Sequence, residues 1–506
     1  MRMRKLRKPG GSRPAEGSLP CRALRAHWAG IPAAIVAVFI CGYALTEVAR
    51  SGSTTTSAIS AYPTPGTPVA SARTQISLRG APPRMLGKIR VSGSRSGNHP
   101  GRLVAHSDGM GASFIPRRPF TPGERVSVST DLRIVGARNG DYTLTIARNA
   151  PDGARATRRE RTLRPDEVRS YRTQPRLRPP VVSTTQTADT APGYLFIGPK
   201  KSAPQDGPLV VDNNGEPVFF RPLRAGLEAF DVRVQTYRDR PVMTWWEGRL
   251  YKPGYGRGTQ VIVDDAYRRV ATVRPGNGYA ADLHDFVITK RNTAYLIAYQ
   301  PVRYGSFQGR RGVIDCIVQE VDLATGLVLF EWHSLPNLSL SESYTASNYR
   351  PADPYDPVHL NSVDELPDGD LLLSGRNTHA AYTVDRETGR VTRRLGGKRS
   401  NIRMGRGTRF AWQHDIRRQP DGTITIFDNE AAPQVGPQSR GITLRIDGNR
   451  ASLVREYTYP GRLVSNDQAN MQVLPNGHVL LGWGPQPHAT EHTADGRMIF
   501  DATLPR

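Results

Sequence analysis

Beyond Thr190 the chain repeats itself, and no other feature limits its fold so tightly. Two short patterns alternate at intervals of roughly fifty to eighty residues, the self-similarity expected of a repeat architecture. The first is an apolar run that turns and comes back, beginning with Leu209-Val210-Val211-Asp212-Asn213-Asn214-Gly215-Glu216-Pro217-Val218-Phe219-Phe220. Its later copies turn at Asp264-Asp265, Thr325-Gly326, Thr388-Gly389, Asp447-Gly448 and Asp495-Gly496. The second turns at Arg238-Asp239, Arg291-Asn292, Asp368-Gly369, Asp421-Gly422 and Asn476-Gly477, with Gly193 to Pro199 as a degenerate sixth copy. Two hairpins make a four-stranded sheet, and a ring of such sheets hides the strand edges that an open antiparallel array would expose. The expectation is an all-β chain whose residues 190–506 form a six-bladed β-propeller.

The segments before Thr190 read differently. Trp28 to Leu45 is an apolar run of about 18 residues, near the minimum that crosses a bilayer core. The basic residues Arg2, Arg4, Lys5, Arg7, Lys8, Arg13, Arg22 and Arg25 precede it against the single acid Glu16, which places the chain start in the cytoplasm by the positive-inside rule. No small-residue cleavage site follows, so a retained signal anchor over 28–45, after a cytoplasmic tail over 1–27, is favoured over a cleaved signal peptide. Residues 51–76 have the Ser/Thr/Pro-rich composition of a stalk. Alternating stretches such as Arg125-Val126-Ser127-Val128-Ser129 point to a small β-sandwich-like domain over 77–147, and the Arg- and Pro-rich residues 148–189 read as a linker. The net charge of +24 sits largely in the tail and this linker, so a solvated segment accounts for it better than a nucleic-acid surface does. The lone ectodomain cysteine, Cys316, falls in an apolar run and reads as a small buried hydrophobe.

Aligning the second hairpin by its turn brings candidate site residues together. His284 is eight residues before Asn292, Asn361 eight before Gly369, and His414 eight before Gly422. His359 is two residues upstream of Asn361, on the same strand face by the period-two rule. On the return strands Arg376 comes back to the level of Asn361, and Asn429 to that of His414. A histidine at a strand end is more often a hydrogen-bonded structural group than a catalyst, but the coincidence across three repeats points to a shared site at the mouth of the ring. His333, His379, His478, His488 and His492 do not share the offset and read as structural or surface residues.

His359-Leu360-Asn361-Ser362 followed by Leu373-Ser374-Gly375-Arg376, then Trp412-Gln413-His414-Asp415 with Asp421-Gly422, resembles the bacterial arylsulfotransferases of the actinobacterial type, six-bladed propellers preceded by a small β domain. The resemblance implies that His414 takes a sulfuryl group from a phenolic sulfate ester as a transient sulfohistidine and passes it to a phenolic acceptor. It implies sulfate-binding and acid/base roles for His284, His359, Asn361 and Arg376, and no nucleotide sulfate donor or other cofactor. A further polar residue from the last repeat is implied, for which Ser465, Asn466 and Asn470 are candidates. Independently of the resemblance, a neutral imidazole is a competent nucleophile at pH 7, and a guanidinium fork suits sulfate oxygens. Two rival readings stand beside it. One is a non-catalytic propeller binding a glycan, an envelope polymer or a protein. The other is a metal site built from the three imidazoles, which a nearby Arg376 would oppose by charge repulsion.

Overall fold

The computed structural model describes residues 4–5, 58–156, 163–200, 204–307, 311–346 and 352–505, and these are almost entirely strands joined by turns. One α-helix, Ser334–Asn337, occurs among the described residues, and no helix among them is long and apolar enough to cross a membrane. The anchor expected over 28–45 lies outside the described residues, as does the tail except for Arg4–Lys5.

Every turn of the two repeated patterns closes a hairpin, apart from the degenerate copy. The second sheet is Glu228–Tyr237, Arg240–Tyr251, Tyr255–Val263 and Arg269–Val273. The third is Phe286–Ile288, Thr293–Val302, Val313–Asp322 and Val328–His333. The fourth is Leu360–Glu365, Leu371–Gly375, Ala380–Val384 and Val391–Gly396. The fifth holds His414–Arg418, Ile424–Asp428, Arg440–Asp447 and Arg450–Thr458, and the sixth Asn470–Val473, Val479–Gly482, His488–His492 and Met498–Thr503. Within each of these sheets strands neighbouring in sequence pair antiparallel, and Arg403–Met404 adds a parallel edge strand to the fifth, beside Arg450–Thr458.

The first sheet departs from this plan. Gly193 to Pro199 forms no hairpin: Leu195–Ile197 is a single strand beside Leu209–Val211 and Pro217–Phe220, and Arg4–Lys5 pairs antiparallel with its inner edge. The segment read as a linker also contributes a strand. Ser183–Gln186 pairs with Met498–Thr503 as the outermost strand of the sixth sheet, so chain from before the first sheet completes the last one.

Apolar clusters join each sheet to the next. Phe196 and Val210 meet Val232 and Trp245; Tyr237 and Ile262 meet Phe286 and Leu296; Ile297 and Phe330 meet Leu371 and Tyr382. Leu372 and Ala381 then meet Ile426 and Ile442, Phe427 meets Leu481 and Trp483, and Leu480 and Phe500 return to Leu195 and Leu209. Because each sheet is covered on both faces, its central strands lose polar alternation. Val313–Asp322 is buried at every position.

Two further four-stranded sheets share one core of Ile59, Ile76, Leu78, Val91, Phe114, Val126, Val128 and Leu144. Arg125–Thr130 and Tyr142–Thr145 alternate exposed and buried positions, as their sequences predict. The stalk expected over 51–76 gives way to this core from residue 58 onward. Ile59, Ala61, Tyr62, Val69 and Ala70 are buried, and Ser60–Tyr62 is a strand. Average composition hid these few apolar anchors between polar and proline residues. Tyr62 also reaches the larger body, where its hydroxyl donates to Arg386 O at 2.7 Å.

Candidate active site

The inner strands begin irregularly, and these irregularities build the site. Register shifts fall at Phe230/Arg233, Leu360/Ser362 and His414/Arg417, and Asp231, His359, Asp415, Gln468 and Ala469 adopt positive φ between 50° and 85°. Left-handed backbone at a non-glycine residue costs on the order of 1–3 kcal/mol and persists only where its surroundings enforce it. The result is convergence. Asp231, His284, Asn361, His414 and Ala469, each eight residues before its hairpin turn, line one small pocket of about 20 Å³.

A chain of buried charges lies among the same strands. Arg233 reaches Asp231 at 3.1 Å and Asp285 at 3.0 Å, while Arg417 reaches Asp285 and Asp415 at 2.8 Å each. Asp415 also accepts the Met471 N–H at 3.1 Å, and Asp285 accepts that of Val363 at 2.8 Å. The second to sixth sheets are thereby tied together directly beside His284 and His414.

Three imidazoles stand above this chain, each with its Nδ1 engaged. His284 Nδ1 meets Asp282 Oδ1, and His359 Nδ1 meets Asp356 Oδ2 at 2.5 Å. Both carboxylates are fixed by backbone: the His284 and His359 N–H groups donate to them at 3.0 Å, and Gly256 N–H donates to Asp282 Oδ2 at 2.6 Å. His414 differs, because its Nδ1 meets the amide oxygen of Asn429 at 2.7 Å and its Nε2 accepts the Gln468 N–H at 3.1 Å. The His284 ring is 4.9 Å from that of His359, edge-on, and 6.3 Å from that of His414. Burial pushes the His414 imidazole well below the usual histidine range, and the Arg376 charge adds to the effect. Burial also lowers His359, outweighing the opposing pull of Asp356.

These groups open into a cavity of about 640 Å³, whose walls include Phe230, Leu250, Tyr344, Tyr355, Trp412 and Pro433. That volume and mixture of apolar walls with a few convergent polar groups suit a small organic ligand. Arg376 sits at the wall, with Nη1 donating to Asn377 Oδ1 at 2.8 Å, Nη2 donating to Asn466 O at 3.1 Å, and its guanidinium 4.9 Å from the Trp412 ring.

The structure brings all five expected site residues together, with altered heights. The shift at Asn361 sets Leu360 opposite Gly375, and Arg376 N–H donates to His359 O, so Arg376 is level with His359 and not Asn361. The same kind of irregularity pairs His414 with Phe427, leaving Asn429 to reach His414 through its side chain alone. Asn361 lines the small pocket and donates to Gln413 O at 2.7 Å. From the sixth sheet, Gln468 borders both cavities and touches His414. Of the three expected candidates there, Asn466 lines the larger cavity, whereas Ser465 bonds to Trp483 O and Asn470 begins a strand.

Asp231, Asp282 and Asp356 join the site beyond the residues that the hairpin alignment selects. Asp231 carries the same eight-residue offset from Arg238-Asp239, and the two other acids stand two and three residues before a site histidine, so each had a sequence signal. None of the five other histidines beyond Thr190 lines either cavity: His333 lies between Asp315 and Glu331, His379 stacks on Tyr344, His478 meets Glu491, His488 meets Asp501, and His492 bonds to Thr490. Cys316 is fully buried, and burial holds its thiol in the neutral form. Among the described residues no group of three or more His, Cys, Asp or Glu side chains is placed to hold a metal ion.

A protein family described as Arylsulfotransferase (ASST) matches residues 233–504. No curated protein sequence matches the chain. Solved structures similar to it include a protein of unknown function from Bacteroides caccae, at 11% identity and TM-score 0.36, covering 58% of this chain and 89% of its own. A streptogramin B lyase matches at 10% identity and TM-score 0.32, over 55% and 73% of the two chains. Virginiamycin B lyase from Staphylococcus aureus matches at 10% identity and TM-score 0.30, over 54% and 73%.

Proposed function

The chain belongs to the arylsulfotransferase family, and from that premise we propose that it carries a sulfuryl group from a phenolic sulfate ester to a phenolic acceptor through a sulfohistidine at His414. One observation supports this reading above the others. His414 is a buried imidazole disposed to stay neutral, at the wall of a cavity that also holds Arg376 and two carboxylate-backed imidazoles. We further propose that the six sheets form a six-bladed β-propeller, supported by the cycle of apolar clusters and by the Ser183–Gln186 strand that links its two ends.

In the first step the Nε2 lone pair of His414 attacks sulfur, the bond from sulfur to the aryl oxygen breaks, and that oxygen leaves with the bond pair. The Gln468 N–H releases Nε2 as attack begins. His284 or His359 hands a proton to the departing phenolate; at His359 the negative ester works against the effect of burial. Arg376 and Asn361 stabilise the charge on the sulfuryl oxygens. In the second step the acceptor phenol returns a proton to the same imidazole, its oxygen attacks sulfur, and the nitrogen–sulfur bond breaks to restore Nε2. No nucleotide donor enters the scheme.

Donor alone should give a burst of phenol no larger than the enzyme concentration, with one sulfuryl group on the His414 peptide by mass spectrometry at neutral or alkaline pH. His414→Asn should abolish both. Wild-type transfer by that variant, or sequential kinetics, would remove the sulfohistidine and favour a binding site for a glycan, envelope polymer or protein.

For location we propose a signal anchor over 28–45, with residues 1–27 in the cytoplasm and the chain beyond the anchor extracytoplasmic, supported by the basic tail and the apolar run. An anchored chain could not also keep Arg4–Lys5 on the first sheet. Protease added to intact cells should remove the ectodomain; protection would reject the anchor.

A further inference from the structure

We infer that Asn429 is a positioning residue that makes His414, rather than His284 or His359, the nucleophilic imidazole, an inference that rests on the sulfuryl-transfer reading. Ser465 O and Gln468 O face one side-chain atom of Asn429 at 2.9 Å and 3.1 Å. Carbonyl oxygens only accept, so that atom is the NH₂ group and the amide oxygen is left to face His414 Nδ1. An amide oxygen also only accepts, so Nδ1 carries the proton and Nε2 the lone pair. The Gln468 N–H on Nε2 demands the same tautomer independently. Asn429 is itself pinned, because Ser439 Oγ donates to Asn429 O at 2.6 Å and accepts the Ser465 N–H at 2.7 Å.

The contrast with the other two imidazoles assigns the roles. A carboxylate on Nδ1, as at His284 and His359, stabilises the imidazolium and directs a proton through Nε2, which suits an acid or base. A neutral amide on Nδ1 fixes the tautomer without favouring the cation, which suits a nucleophile that must keep its lone pair. The other charged and titratable groups around His414 are Arg376, His284, His359 and Asp356 across the cavity, Asp231 across the small pocket, Asp467 from the sixth sheet, and Lys200, which reaches Gln468 from beside the first sheet. Asp415, its sequence neighbour, is taken up by Arg417 and Met471 N–H. Among the described residues no carboxylate hydrogen-bonds to the ring.

Asn429→Asp and Asn429→Ala test this, with ¹⁵N-histidine NMR of the ligand-free full chain and the pH dependence of the donor burst. The His414 signal is assigned by its loss in His414→Asn, and unchanged His284 and His359 signals establish that the variants fold. In the wild type His414 should be a single Nδ1-protonated neutral tautomer, and its burst rate should show no acid limb of its own. Asn429→Ala should give a mixture of tautomers. Asn429→Asp should make His414 a carboxylate-backed imidazole, and each unit by which its pKa rises removes about tenfold in burst rate below both values. Wild-type tautomer and wild-type pH dependence in both variants, even with a slower burst, would reduce Asn429 to a structural role and overturn the inference. Absence of any sulfohistidine in the wild type would instead reject the reaction, while the tautomer measurement would still decide Asn429.

Discussion

Replacing Arg417 by Met should destabilise the fold far more than a typical single substitution, because one guanidinium serves two buried carboxylates. Its side chain is 12% exposed, against 0% for Asp285 and 2% for Asp415. At 2.8 Å and an effective dielectric of 20, each contact is worth about 6 kcal/mol of gross attraction. Desolvation offsets most of this, and stranding the partner of a buried pair costs about 3–5 kcal/mol. Without Arg417, Asp285 keeps Arg233 and the Val363 N–H, and Asp415 keeps the Met471 N–H. Both carboxylates lose a charged partner at once. Against a total stability of about 5–15 kcal/mol this is readily measured as a fall in the urea midpoint. Adding Asp415→Asn to Arg417→Met should recover a substantial part. The loss should also shrink at acid pH, since a stranded buried carboxylate takes up a proton more readily than in the unfolded chain. A loss below about 1 kcal/mol, or no recovery in the double variant, would show that the charge chain is not what holds these strands.

The remaining expectations concern pH and Arg376. His333, held between Asp315 and Glu331, is raised to about 10. Its stabilisation is fully present below the unfolded value near 6.5 and is lost as pH rises through about 10. The urea midpoint should fall more steeply between pH 8 and 10.5 in the wild type than in Glu331→Gln, and parallel curves would remove His333 from the account. Arg376→Lys should lower kcat/KM by about tenfold or more with the melting temperature nearly unchanged, because an ammonium cannot reproduce the planar fork. An unaltered kcat/KM would place the sulfate elsewhere.

The turns were legible in the sequence, and with them the hairpins, the six repeated units and the residues eight positions before each turn. These rest on local chemistry: Asp-Gly, Asn-Gly and Thr-Gly pairs select tight turns, and apolar runs between them select strands. From that pattern alone His284, Asn361 and His414 could be set side by side. What the sequence did not contain was the departure from the pattern. The period-two rule holds for a regular ladder, whereas at Asn361 and Asp415 the strand leaves the ladder, moving Arg376 and Asn429 away from the heights that counting assigns. Whether a residue takes positive φ there depends on what receives its side chain, and for Asp415 the receivers are Arg417 and Met471 N–H. The same limit hid the strands Ser183–Gln186 and Arg4–Lys5, which pair with partners hundreds of residues away in one case and nearly two hundred in the other. It also hid the partner of each Nδ1. Asp282 and Asp356 stand within three residues of their histidines, but Asn429 is fifteen residues from His414 and Gln468 fifty-four, so only the folded chain could decide which imidazole keeps its lone pair.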